Sequence, residues 1–276
     1  MLSSLHQRLL TAAVLLPLAV WAIIALPTRW FATGAALLIA MAAWEWARLC
    51  GWRAPLHRGA YTAVVVVLLA WGLGWAHPSV ALWVLSGVIA ALWCIALALI
   101  ARYPNGTQRW DRPWIKAAMG LLALVPAWLV LVALHGGRPD GPYWVLFVLA
   151  LVWAADSGAF FAGRRFGRRK LAPRVSPGKT REGVLGGLIA AAAVAVAGFL
   201  WAGLPGGIMP YFVGLSLVTV LFSVTGDLLV SMLKRASGIK DSGHILPGHG
   251  GILDRVDSLL AAAPLFFLGY MWMEYL

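Results

Sequence analysis

Asp227 and Ser231 stand four residues apart, on one face of any helix that carries them, and Lys234 shares that face. Beyond a polar stretch, Asp254, Asp257 and Ser258 follow at i, i+3 and i+4. Carboxylates and hydroxyls grouped in this way are hard oxygen donors. They suit Mg²⁺, which takes one or two carboxylates and completes its shell with water and substrate phosphates. An acid at a helix start also matches the helix dipole, which accounts for one of these residues but not for the set. Asp227 lies eight residues before Arg235 in "LFSVTGDLLVSMLKR", so on a helix it sits roughly 12 Å inside the charged end. A carboxylate at the centre of a bilayer costs about 2.5–3.5 kcal/mol to insert. Such a residue marks a bundle interior, a wet cavity or an ion pair. Asp156, in "LVWAADSGAFFAG", is a further acid in apolar surroundings.

Two other stretches could handle anions. "SPGKTREG" places Ser176, Lys179, Thr180 and Arg181 just before an apolar run. Backbone N–H groups at a helix N-terminus, joined by Lys and Arg, form an anion site. It is not a Walker A loop, because Pro173 stands where that pattern needs its first glycine. "PGHGG", Pro247 to Gly251, reads as a tight turn whose glycines permit positive φ and close approach of a ligand. His249 has no Cys or His at zinc spacing, so a phosphate or a carboxylate is its expected partner. His244 has no stronger claim than any loop histidine.

The elements that must position these groups are apolar. Of the 276 residues 62% are hydrophobic and 12% are charged, against roughly 25% charged in soluble domains. Nine runs are long enough to cross a bilayer at about 20 residues each: 9–26, 31–48, 60–76, 80–101, 116–135, 142–163, 184–204, 209–233 and 252–273. Lipid leaves no partner for an unpaired backbone group, so each run is expected to be a helix. The runs do not alternate as barrel strands do. The first is read as a retained helix, since no A-x-A-like site follows "AIIALPTRW". Cys50 and Cys94 are too few for a disulfide framework. The sixteen Trp fit membrane interfaces. The expected fold is an all-α, polytopic membrane helix bundle.

A net charge of +12 could point to nucleic acid, but its distribution excludes that. With the N-terminus in the cytoplasm and nine spans threaded, every Lys and Arg except Arg29 and Arg138 falls on the cytoplasmic side. This is the positive-inside pattern. Most of the basic excess is therefore a topology signal.

The stretch from Ser231 to Ser258 resembles the signature of the phosphatidate cytidylyltransferases, also called CDP-diacylglycerol synthases: S-x-x-K-R-x4-K-D, a short spacer, then [PG]-x-H-G-G-x-x-D-R-x-D. Ser231, Lys234, Arg235, Lys240, Asp241, Pro247, His249, Gly250, Gly251, Asp254, Arg255 and Asp257 all fit it. A second block, Asp156 to Gly183, is similar to the family's other cytoplasmic motif. The first 140 residues resemble the family only in being hydrophobic spans. The expected organisation is thus 1–140 as N-terminal transmembrane helices and 141–276 as catalytic ones, with cytoplasmic loops 164–183 and 234–254.

The resemblance implies that CTP and phosphatidate give CDP-diacylglycerol and pyrophosphate. It implies dependence on Mg²⁺ held by Asp227 and Asp254, with a second, monovalent ion left open, and a homodimer in the bilayer. The expected catalytic residues are Asp227, Lys240, Asp241, Asp254 and Asp257. Those expected to bind substrate are Ser176, Lys179, Thr180, Arg181, Lys234, Arg235, His249, Gly250, Gly251 and Arg255. The site is expected on the cytoplasmic face of the inner membrane, where a soluble nucleotide meets a lipid headgroup. A transporter would explain Asp156 and Asp227 but not motif residues gathered on one face. An alcohol phosphotransferase would need D-G-x2-A-R, which does not occur.

Overall fold

A computed structural model of the chain describes residues 4–243 and 250–273. It is built of α1 (Ser4–Ala25), α2 (Thr28–Leu49), α3 (Pro55–Gly72), α4 (Val80–Arg102), a single turn α5 (Thr107–Trp110), α6 (Pro113–Gly137), α7 (Gly141–Phe166), α8 (Arg181–Trp201), α9 (Met209–Ala236) and α10 (Leu253–Trp272). Two short strands, β1 (Lys170–Ala172) and β2 (Ser176–Thr180), stand between α7 and α8. Each of the nine expected spans falls on one of these helices. Pro55 and Pro113 open α3 and α6, where a missing N–H costs nothing. Ser79 caps α4 by accepting the N–H of Leu82 at 3.3 Å.

Seven helices, α2, α3, α4, α6, α7, α8 and α9, are long and apolar enough to cross a membrane. Within the described residues of α1, Leu16–Ala25 is an apolar stretch. α10 is not among the seven: Asp254, Arg255 and Asp257 take up its start, leaving fewer apolar residues than the ~20 a crossing needs. The chain is a helical membrane bundle. Among the described residues seven helices meet the length and composition of a crossing, which neither reaches nor rules out the expected nine.

The chain divides into two compact units. The first comprises Met1–Pro78, Gln108–Leu146 and Leu233–Val256. Here α2 packs on α3 and α6. Indole and phenol groups inside it satisfy themselves on helix carbonyls: Trp46 Nε1 on Lys116 at 2.8 Å, Trp128 Nε1 on Ala32 at 3.0 Å and Tyr61 Oη on Ala117 at 3.0 Å. A side chain at Gly120 would strike both Tyr61 and Trp46, so the glycine is what lets α6 close on α2 and α3.

The second unit comprises Ser79–Thr107, Phe147–Met232 and Asp257–Leu276. Its core holds Leu151 and Ala155 of α7, Ala191 and Ala195 of α8 and Val220 of α9. α7 and α8 meet through glycines: a Cβ at Gly187 would lie 2.7 Å from the Ala155 carbonyl, and one at Gly158 would lie 2.6 Å from that of Gly186. Small residues permit such approach where water exclusion cannot drive association. α9 and α10 touch in the same way, because a Cβ at Gly226 would strike the carbonyl of Asp257.

The stretch 164–183, expected as a loop, is largely folded. β1 and β2 pair antiparallel, Lys170 opposite Thr180 and Ala172 opposite Ser176. The N–H of Arg181 continues the ladder to the Arg169 carbonyl at 2.8 Å. Glu182 fastens the other end by accepting the N–H groups of Arg168 and Arg169 at 3.1 Å.

Candidate active site

In the second unit, β2 ends immediately before α8, and that places Lys179 over α9. Lys179 Nζ lies 2.5 Å from Asp227 Oδ2. The hydroxyl of Ser231, one turn further along α9, donates to Asp227 Oδ1 at 3.2 Å. The i, i+4 spacing read from the sequence is therefore a real contact. The two charged side chains are 26% and 28% exposed, so the pair is formed but reachable.

Lys179 also lines a cavity of about 590 Å³. Asp156 and Arg164 of α7 contribute further charge to its lining, whereas Val184, Val220 and Val224 make it apolar elsewhere. The lining thus joins charged groups to apolar wall. Thr180 sits in the same lining, but its hydroxyl is committed: it accepts the Gly183 N–H at 3.1 Å and so caps α8. With the Arg181 N–H given to Arg169, two first-turn donors of α8 are already used. Arg181 itself is exposed.

In the first unit, Asp254 occupies the first turn of α10. Its Oδ1 receives Lys234 Nζ at 2.8 Å, and its Oδ2 accepts the N–H groups of Ser242 and Gly251, each at 3.2 Å. The Lys234 and Asp254 side chains are 13% and 11% exposed. Gly238, at φ +68°, ends α9 in the left-handed conformation that favours glycine. Gly250 has φ +80°, and a Cβ there would lie 3.2 Å from Asp254 Oδ2. Of the turn expected at Pro247–Gly251, the described Gly250 and Gly251 both stand against that carboxylate.

The remaining expected residues are distributed as follows. Arg235, Lys240, Asp241 and Arg255 are exposed, and Ser176 is half-buried. Lys240 and Asp241 run straight into Ser242, which holds Asp254. Asp257 is buried in the second unit, where its Oδ1 accepts the Ser258 N–H at 2.7 Å. His244, Pro247 and His249 lie outside the described residues.

One residue escaped the sequence reading. Glu45 of α2 is 1% exposed and accepts the Ser242 hydroxyl at 2.8 Å, the Leu253 N–H at 2.9 Å and the Ile252 N–H at 3.1 Å. The signal was present: a lone carboxylate in "AMAAWEWARL" bears the same insertion cost that singled out Asp227. A second support is Ser237, whose hydroxyl donates to the Leu49 carbonyl at 2.7 Å. Buried Lys116 reaches Ser237 at 3.4 Å and Asp111 at 2.7 Å.

Residues 6–273 match the model of the Cytidylyltransferase family. A protein named phosphatidate cytidylyltransferase from Pseudomonas aeruginosa is 45% identical over 270 residues, covering 95% of each chain. One of the same name from Haemophilus influenzae is 37% identical over 294 residues, covering 98% of this chain and 99% of its own. Another, from Brucella suis, is 38% identical over 277 residues, covering 97% of this chain and 93% of its own.

Proposed function

The chain belongs to the cytidylyltransferase family, and from that premise we propose that it transfers the cytidylyl group of CTP to phosphatidate, giving CDP-diacylglycerol and pyrophosphate. The relatives' name supplies the substrates. The observation that carries the reading is the cavity on Lys179, which combines charge with apolar wall and so matches a lipid phosphate better than a wholly soluble ligand.

A phosphate oxygen of phosphatidate attacks the α-phosphorus of CTP, the bond to the bridging oxygen of the β-phosphate breaks, and pyrophosphate departs. A phosphate monoester is already largely dianionic near neutral pH, with a second pKa of about 6, so the nucleophile needs no general base. What remains is positioning and neutralisation of charge. Lys179, Arg181, Lys234, Arg235 and Lys240 are the cations for that task. Lys179 and Lys234 are held by Asp227 and Asp254 before any ligand arrives.

Mg²⁺ belongs to the same proposal. Among the described residues no three His, Cys, Asp or Glu side chains group as a metal cage. Asp227 in the second unit and Asp254 in the first are each a carboxylate of the kind such an ion takes, one or two at a time, with water and substrate phosphates finishing its shell. When bound, the ion supplies positive charge to the phosphate oxygens that gain negative charge during transfer. A homodimer, and a site on the cytoplasmic face of the inner membrane, complete the reading. The charge asymmetry of the loops supports the latter.

The test is pyrophosphate release by purified protein in detergent, with CTP and phosphatidate supplied together and separately. Release is expected only with both. No release, or release without phosphatidate, overturns the reading.

A further inference from the structure

Glu45 and the motif residues it contacts are 197 to 208 positions apart in sequence. Its carboxylate nevertheless stands at the head of α10. Leu253 is the first residue of that helix, and its N–H and that of Ile252 are among the donors a helix start leaves without an internal partner. A cap normally comes from the residue before the helix. Here it comes from α2.

Glu45 and Asp254 divide one set of groups between them. Ser242 gives its hydroxyl to Glu45 and its N–H to Asp254. The turn gives the Gly251 N–H to Asp254 and the next two N–H groups to Glu45. The backbone is cut to admit this carboxylate: a side chain on Gly243 or on Gly251 would strike Glu45. An ionised carboxylate only accepts, which is what three converging donors require. An amide in its place would turn an NH₂ group against one of those donors.

We propose that Glu45 is a positioning residue, which clamps Ser242 and the 251–253 turn so that Asp254 is held in its working orientation. It acts through Asp254 and does not touch substrate. This rests on the reading of Asp254 as catalytic under Proposed function.

The test compares wild type, Glu45→Gln, Ser242→Ala, Asp254→Asn and the Glu45→Gln/Asp254→Asn pair in detergent. Glu45→Gln is expected to lower kcat by about 10- to 100-fold, as loss of an outer support does, and to leave the KM for CTP nearly unchanged. Ser242→Ala removes one of the three bonds and is expected to lower kcat by about 3- to 10-fold. In the Asp254→Asn background Glu45→Gln should add nothing. Hydrogen exchange of the unliganded protein gives a readout free of activity. In Glu45→Gln, residues 241–243 and 250–256 should exchange faster while α2 and α6 stay protected. Normal kcat in Glu45→Gln, a full additional loss in the pair, or unchanged exchange overturns the proposal. If Glu45→Gln does not accumulate as folded protein, normal kcat in Ser242→Ala overturns it instead. A wild type without pyrophosphate release sinks the function reading, while the exchange comparison still decides the clamp.

Discussion

Lys179 reaches Asp227 from a strand, and Lys234 reaches Asp254 from the end of a helix. Each acid therefore has a lysine counter-ion in the unliganded protein. The Lys179 pair is more than a quarter exposed, and solvent-screened pairs contribute only about 0–1 kcal/mol to stability. Lys179→Ala should accordingly leave the melting temperature in detergent nearly unchanged and raise the KM for substrate. Seven other basic residues between Arg164 and Arg181 keep the loop charge that orients the chain. Normal kinetics in that variant would return Lys179 to an ordinary surface residue.

The acids are expected to behave differently. Asp227→Asn and Asp254→Asn keep shape and remove charge, so each should lower kcat by ~10³-fold, as the loss of an electrostatic stabiliser does. Asp257→Asn should cost less, since Asp257 is buried and already takes the Ser258 N–H. Turnover measured against Mg²⁺ concentration checks this. Near-normal turnover and an unchanged Mg²⁺ response in both Asn variants would make these acids structural. At this scale the sequence revealed the i, i+4 contact of Asp227 with Ser231, because helix geometry turns spacing into contact. It could not reveal the partners of either lysine, because those depend on where a strand and a turn return in space. Glu45 was overlooked because its donors lie on the far side of the chain.

Among the elements, the long helices were legible to within a few residues, since hydropathy and the demand for internal hydrogen bonding both select them. The hairpin was not. Its strands are three and five residues long, too short for an alternating pattern, and its run of Arg, Lys, Pro and Gly reads as loop. It is held instead by Glu182 and the Arg181 N–H, contacts invisible to periodicity. The crossing of α9 with α10 was also hidden, although it sits next to Asp227. Gly226 meets the Asp257 carbonyl there, whereas Gly214 on the same helix has open space around it. Gly226→Ala should push the two helices apart at a cost of about 1–3 kcal/mol, the usual penalty of overpacking. Gly214→Ala should be neutral or stabilise by about 0.5–1 kcal/mol, the gain of alanine over glycine within a helix. Thermal denaturation of the two variants in detergent makes the comparison. Equal melting temperatures would mean that α9 and α10 do not meet at Gly226.

For the whole molecule the open question is what α1 and α10 do. The basic residues between α2 and α3, α4 and α6, α7 and α8, and α9 and α10 set those four connections on one side, with Arg29 and Arg138 alone on the other. The rule that cytoplasmic loops carry the Lys and Arg leads us to expect that shared side to be cytoplasmic. If α1 and α10 both cross, there are nine spans, the N-terminus is cytoplasmic and the C-terminus lies outside. If neither crosses, the seven helices that meet the length and composition standard leave the N-terminus outside and the C-terminus in the cytoplasm. The two arrangements invert both ends while keeping these four connections on the same side, so a reporter fused at either end separates them. Nine crossings remain the expectation. Arg8 on the inner side favours insertion of α1 with its start in the cytoplasm. In α10 the charged residues Asp254, Arg255 and Asp257 are confined to the end that would face the cytoplasm, where a charge can stay in the interface. A C-terminal reporter should therefore respond as external. A cytoplasmic response would leave α10 lying at the membrane surface, with Asp254 at the near end of an interfacial helix and not of a crossing one.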